Sequence, residues 1–204
     1  MSLPATLRYH QSHWGDEFWK SLVDHCRGWQ HKSCGMHVHM SRAALSHLQI
    51  GRLAQFFTDD PNVPFIEKVA GRGSGTYNQI KKKKITDVKR GRYGSGRDAT
   101  GLAYGHDNDR RQCVNLTKEG IVEIRIFQSN VSKVGFLKNI EFCDAVANFC
   151  RTASNTQLNR ENFLKWMGEH RGVYPNFVQW AVREGLMTTR HHAAPGVEAP
   201  AVAA

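Results

Sequence analysis

Alternating hydrophobic and polar positions predict two strands in this chain. In the first strand, Gly35–Ser41, two histidines share one face while methionine and valine occupy the other. In the second strand, Gly120–Phe127, a glutamate and an arginine alternate with three aliphatic residues. If both strands belong to one sheet, four side chains converge on one surface: His37, His39, Glu123 and Arg125.

Apolar residues at helical spacing predict five helices: residues 15–27, a helix after an N-cap at Ser41, residues 136–150, 159–170 and 175–184. Residues 1–13 have no clear period and favour a loop or frayed strand. Residues 65–70 fit a short strand or a helical turn. Arg111–Leu116 reads as a strand that forms an antiparallel hairpin with the second strand, bringing Arg111, Cys113 and Asn115 beside Glu123. The pattern therefore predicts an α+β fold, with helices on one face of an antiparallel sheet.

The composition fits one domain with a strongly basic segment. The chain has 204 residues, which suits a single domain over residues 1–190, followed by an Ala/Pro-rich tail at 191–204 that we expect to be disordered. Between residues 68 and 97 there are ten Lys or Arg but one acid, against a formal net charge of +10 for the chain. This excess indicates anionic partners such as nucleotides, nucleic acid or acidic substrates.

The basic segment forms part of a glycine-rich stretch, residues 71–105, which predicts a long loop. Three interpretations stay open: a solvated flexible segment, a loop that closes over ATP or an acidic substrate, and an arm that binds nucleic acid. The arm would use Tyr77 and Tyr93 for stacking, and its phosphate contacts would come from the lysine run Lys81, Lys82, Lys83 and Lys84. The glycines lack the Gly-Lys-Ser/Thr ending of a phosphate-binding loop.

Cysteine usage bears on location and on metal binding. The sequence has five cysteines, an odd number, and it shows no secretory leader and no apolar run long enough for a bilayer. These features predict a cytoplasmic protein. Cys34 and His37 have the spacing of a zinc-finger pair, but no second Cys/His pair follows at the usual distance. No serine or cysteine has the sequence context of a catalytic triad, so the sequence does not favour a hydrolase.

Several segments, in this order, resemble one known family. Gly35–Ser41 resembles the Gly-Met-His-x-His-x-Ser strand of glutamine synthetases and, more closely, the Cys-Gly-x-His-x-His segment of the amidoligases found in phage and bacterial genomes. Downstream, Arg72 and Tyr77 precede the variable loop. Arg111–Leu116 then matches Arg-x-x-x-Asn-Leu, and Val122–Phe127 matches Val-Glu-x-Arg-x-Phe, before a long helix.

This resemblance covers about residues 3–149 and implies a fold and a chemistry. The implied fold is the curved antiparallel sheet of glutamine synthetase and glutamate-cysteine ligase, with helices on its convex side. The implied reaction is ATP-dependent joining of a carboxylate and an amine through an acyl phosphate, with Mg²⁺ or Mn²⁺ neutralising the phosphates. The resemblance implies metal ligation by His37 and Glu123, ATP contacts by His39 and Arg72, and stabilisation of phosphate or carboxylate by Arg111 and Arg125.

The family pattern also includes an early Glu-x-Glu strand that this sequence does not match. The acids before His37 are Asp16, Glu17 and Asp24, all in a predicted helix. One carboxylate is few for two metals that bridge a polyphosphate. We therefore expect ligase activity to need a second polypeptide that completes the sheet. The alternative is a non-catalytic, phage-type derivative that binds nucleic acid or a host protein through the basic loop and an open sheet edge.

Overall fold

The strands that carry the two motifs lie side by side in a small antiparallel sheet. The computed structural model describes residues 5–26, 31, 34–75, 79–80, 88–89, 96–97, 103–104 and 111–188. Within these residues the strands are β1 (Gly35–Ser41), β2 (Gly96–Arg97), β3 (Ala103–Tyr104), β4 (Val114–Asn115) and β5 (Ile121–Gln128). The helices there are α1 (Leu7–His13), α2 (Asp16–His25), α3 (His47–Thr58), α4 (Val63–Ala70), α5 (Lys133–Thr152), α6 (Arg160–Glu169) and α7 (Pro175–Arg183).

The main sheet has the order β1-β5-β4, and both pairings are antiparallel. His39 lies opposite Glu123 across the β1–β5 pair, and Asn115 lies opposite Glu123 on the other side. The register shifts between Met36 and Val38, where β5 contains one extra residue. Because of this bulge, Ile126 and Phe127 are both fully buried although they are consecutive. β2 and β3 form a separate two-stranded sheet.

Helix α5 is the longest helix of the described residues and packs against α3 and α7. Its N-cap residue, Ser132, accepts a hydrogen bond from the Gly135 amide, which satisfies one of the first-turn amides. The core around α5 is rich in aromatic rings. Phe142 stacks on Phe177, and both meet Phe163 edge-to-face. These contacts fix the helical layer behind the sheet.

The α+β class, the antiparallel sheet and the β4–β5 hairpin are confirmed. The sheet is small and uncurled, so the predicted curvature is wrong for the described residues; three strands, one of them two residues long, are too few to curl. Residues 7–13 are helical, contrary to the prediction of a loop or strand. Residues 65–70 belong to α4 rather than to a strand.

The predicted helix cap at Ser41 is also wrong. Ser41 ends β1 and precedes a short 3₁₀ turn, Arg42–Ala44, without a side-chain cap. The capping box belongs to Ser46, whose hydroxyl accepts from the amide of Gln49 while the Gln49 side chain accepts from Ser46 N–H. The extra five residues let the chain leave the sheet and turn before α3 begins.

Several predictions fall outside the described residues. They concern the lysine run Lys81–Lys84, the tyrosines Tyr77 and Tyr93, and the tail 191–204. All five cysteines are described, and all are free thiols. Across the described part of the chain, every helix is too short or too polar to cross a bilayer.

Candidate functional site

The side chain of Glu123 lies at the centre of the sheet face that the sequence singled out. It is 1% exposed, and its Oε1 atom is shared by several basic groups. His39 Nε2 lies 3.0 Å away, and Lys118 Nζ and Arg125 Nη1 each lie 3.1 Å away. His37 Nδ1 is slightly farther, at 3.4 Å. Two histidines, a lysine and an arginine therefore surround one carboxylate oxygen.

The second oxygen of Glu123 is also occupied. Asn115 Nδ2 donates to Oε2 at 2.5 Å. Asn115 in turn accepts from the amide and hydroxyl of Thr117 through its Oδ1 atom. These bonds join β4, the following turn and β5, so the carboxylate is held in one orientation.

The strand register explains why these groups meet. His39 and Asn115 are the direct cross-strand neighbours of Glu123, on opposite sides of β5. Lys118 comes from the β4–β5 turn, in which Gly120 takes a left-handed conformation with φ of +68°. The bulge in β5 leaves Arg125 beside His37, with Nη1 and Nδ1 3.5 Å apart.

Electrostatics keep this carboxyl group ionised. Burial raises the pKa of Glu123, but hydrogen bonds from His39, Asn115 and Lys118, together with the charge of Arg125, outweigh it and hold the pKa at about 2. Burial, followed by the charge of Arg125, lowers the pKa of His37 despite the opposing effect of Glu123. His37 is therefore neutral at pH 7, and fixed cations supply the positive charge of the face.

Arg72 lies next to this face but contacts the backbone. Its Nε donates to the carbonyl of Ile126 at 2.9 Å, and its Nη2 donates to the carbonyl of Arg125 at 3.1 Å. Burial and the nearby Arg125 charge lower the pKa of Arg72. The guanidinium group also covers Gly35, where a Cβ atom would lie only 2.7 Å from Nη2. Arg72 thus supports the bulge from the side.

Arg111 occupies a different position from the one that the sequence suggested. It lies just before β4, with an exposed side chain, and its carbonyl accepts from the amide of Gln79. Cys113 is fully buried, and its carbonyl accepts a hydrogen bond from the amide of Arg125. Asn115, in contrast, lies beside Glu123 as predicted. The structure therefore brings His37, His39, Glu123 and Arg125 together, with Arg72 adjacent and Arg111 at the edge.

Lys118 is the site residue that the sequence analysis missed. Lysines in turns are ordinarily solvated, and nothing in the alternating pattern marks this one. The hairpin geometry was the available signal, because a lysine in the turn after Asn115 can fold back over the sheet face that Asn115 occupies. Its contact with Glu123 makes the cluster more basic than the two motifs indicated.

The donor set around Glu123 suits an anion better than a divalent metal. Within the described residues, no group of three or more His, Cys, Asp or Glu side chains could hold a metal ion. Mg²⁺ prefers oxygen ligands, and both oxygens of Glu123 already accept hydrogen bonds. In the described part of the chain, the buried Nε atom of Arg125 has no hydrogen-bond partner. Such a donor belongs with an oxygen acceptor.

No family model, curated protein or solved structure matches this chain.

Proposed function

We propose that this chain is an amidoligase-like protein whose sheet face binds the oxyanions that such ligases handle, namely the phosphates of ATP and the carboxylate of a substrate. One observation carries the proposal: basic side chains from β1, β5 and the β4–β5 turn meet at a single buried carboxylate, Glu123. The two motifs that resemble the family supply three of those side chains, His37, His39 and Arg125. The glutamine synthetase-like identity of the fold is part of the same proposal.

The charge of the face fits an oxyanion. Lys118 and Arg125 both contact Glu123, and Arg72 lies behind Arg125. Three fixed cations against one carboxylate leave a net positive surface even when both histidines are neutral. His39 and Lys118 are about half exposed, so an arriving anion reaches them without displacing a strand.

The same geometry does not fit Mg²⁺ or Mn²⁺ at His37 and Glu123. A metal at Glu123 would displace Lys118 or Arg125 from the carboxylate and would still lack further oxygen ligands. Oxyanion binding at this face therefore does not depend on ligation. The described residues support oxyanion binding, whereas ligation with a metal requires additional carboxylates. β1 is an edge strand of the described sheet, where a second polypeptide carrying such groups could pair.

Calorimetric titration tests the proposal. ATP, inorganic phosphate and glutamate are each titrated into the protein twice, once in EDTA and once in excess Mg²⁺. We expect ATP to bind in EDTA at least as tightly as with Mg²⁺, because the metal neutralises the phosphates that the basic face attracts. Lys118→Met should weaken ATP binding about fivefold, the effect of one lost charge near the surface. Lys133→Met removes a charge that pairs with Asp16 outside the face and is the matched control.

Two results would contradict this assignment. A strict requirement for Mg²⁺ would restore the metal-ligand roles of His37 and Glu123. Binding that Lys118→Met and Lys133→Met weaken equally would show a response to overall charge alone. His37→Ala distinguishes metal ligation from oxyanion binding, because it removes a proposed metal ligand and leaves Lys118, Arg125 and Glu123 in contact. Glu123→Ala is unsuitable, because it would leave buried cations unpaired.

The second candidate is a non-catalytic protein that binds nucleic acid or a host protein. The observation that favours it is the clustering of ten Lys or Arg between residues 68 and 97. Binding to nonspecific DNA should then weaken steeply with salt, and replacing Lys81–Lys84 with glutamine should remove that dependence. If this variant kept its salt dependence, the lysine run would not be the binding arm.

A further inference from the structure

A cavity of about 610 Å³ lies between α4, the end of β5, the start of α5 and α7. Its volume is in the range of small-molecule sites. None of the side chains that contact Glu123 line it. The cavity is therefore a separate feature from the oxyanion face.

Three basic side chains line this cavity: Lys68, Lys138 and Arg183. The Glu184 carboxylate lies 3.6 Å from Lys68 and 3.8 Å from Arg183, and it offsets one of the three positive charges. The first turn of α5 also lines the cavity. The two amides that precede the capped Gly135, those of Lys133 and Val134, have no acceptor within the helix, and they add partial positive charge.

Lys138 is unusual because it is a lysine with 7% exposure inside the helical layer. Its Nζ donates to the carbonyl of Val69 and lies 4.8 Å from the centre of the Trp180 ring. Burial lowers the pKa of Lys138 to about 8, so most of the amine is still protonated at neutral pH. An ammonium group uses one of its three protons on Val69 and has two more to donate.

Asn139 provides the observation that points to a ligand. It lines the cavity and is 2% exposed, and its buried Oδ1 atom has no hydrogen-bond partner among the described residues. Its Nδ2 contacts the sulfur of Met36 at 3.5 Å, which is a weak interaction. A buried amide oxygen without a donor costs stability, and native proteins rarely leave one unpaired.

We propose that this cavity binds a small organic oxyanion that also carries a hydrogen-bond donor. Lys68, Lys138 and the first turn of α5 hold the oxyanion. The donor of the ligand bonds to Asn139 Oδ1. Phosphate monoesters and amino-acid carboxylates share this chemistry. Both present negative oxygens at one end, and a hydroxyl or ammonium group a few atoms away. The proposal is independent of the function proposed for the sheet face.

Calorimetric titration with ribose 5-phosphate, glutamate and neutral ribose tests this inference. We expect one of the two anions to bind with a Kd of about 1 mM or below, and ribose not to bind measurably. Binding of ribose 5-phosphate alone identifies a phosphate site, and binding of glutamate alone a carboxylate site. Lys68→Met should weaken binding about fivefold, whereas Lys165→Met, which removes an exposed lysine of α6 that does not line the cavity, should not.

Asn139→Leu distinguishes a ligand site from a structural one. It removes the unpaired oxygen at nearly constant volume, so the midpoint of thermal unfolding should stay the same or rise while ligand binding falls at least fivefold. Lys118→Met should leave this binding unchanged, which separates it from binding at Glu123. Absence of binding by both anions would overturn the proposal. So would binding that Lys68→Met and Asn139→Leu leave intact, or a lowered unfolding midpoint in Asn139→Leu.

Discussion

Replacing Glu123 with glutamine tests the electrostatic account of the site. Glutamine has nearly the same shape and can still accept a hydrogen bond, but it carries no charge. In the native protein the buried carboxylate pairs with Arg125, which is 16% exposed, and with Lys118, which is about half exposed. The substitution therefore removes the interaction of a full charge with its partners while leaving the packing of the sheet in place.

The lowered pKa of Glu123 gives the size and the pH range of the effect. Its pKa falls from an ordinary 4.5 to about 2, and each unit corresponds to about 1.36 kcal/mol of preference for the charged form. The carboxylate thus contributes roughly 3 kcal/mol to the free energy of unfolding. Because the folded pKa is the lower one, this contribution is complete above pH 4.5 and is lost as the pH falls towards 2. The substitution should cost about 3 kcal/mol at pH 7 and little near pH 2.

Urea unfolding at pH 7, 5 and 3, which adds no salt, measures the difference in unfolding free energy between the wild type and Glu123→Gln. Glu119→Gln, the same change at an exposed position in the preceding turn, is the control and should alter stability by less than about 0.5 kcal/mol. Equal stability of Glu123→Gln and the wild type at pH 7 would refute the reasoning. A loss that did not vary with pH would also refute it, because the cause would then be packing rather than charge.

Three further substitutions test the supports of the fold by urea unfolding. Gly35→Ala should lower the free energy of unfolding by about 1–3 kcal/mol, because the new Cβ would push the Arg72 guanidinium away from the two β5 carbonyls that it bonds. Little change would mean that Arg72 is free to move. Asn62→Ala should cost about 3 kcal/mol, since the 1% exposed side chain bonds two carbonyls and one amide; a cost under 1 kcal/mol would show that water replaces it. Arg42→Met should cost about 2 kcal/mol, because Nη2 donates to three carbonyls around the β4–β5 turn; unchanged stability would count against that role.

Strong periodicity predicted most helices and both motif strands. The helical spacing within α5 and α7 and the alternation in β1 and β5 are visible from the sequence because each element buries one face. Helix α1 was missed for the opposite reason: no residue of Leu7–His13 is buried, so no apolar stripe exists to be seen. The bulge was missed because strict alternation assigns Phe127 to the exposed face, whereas the extra residue in β5 turns it inward.

The candidate site was predictable in its members more than in its chemistry. Alternation alone places His37, His39, Glu123 and Arg125 on one face, and the register confirms His39 opposite Glu123. The sequence does not reveal that Glu123 is buried, because that depends on Lys118 and Asn115 closing over it from another strand and a turn. Burial beneath Lys118 and Asn115 is a tertiary property.

That burial changes what the two-histidine motif can do. The resemblance implies a metal held by an open carboxylate, Glu123, and one imidazole, His37. In this fold each Glu123 oxygen already accepts from charged or amide donors, so metal binding would compete with contacts that contribute about 3 kcal/mol. An incoming oxyanion meets no such competition, because Lys118 and Arg125 each keep N–H groups that are not bonded to Glu123. The carboxylate then acts as the buried anchor of a basic face, and the sign of the Mg²⁺ effect on ATP binding separates this role from that of a metal ligand.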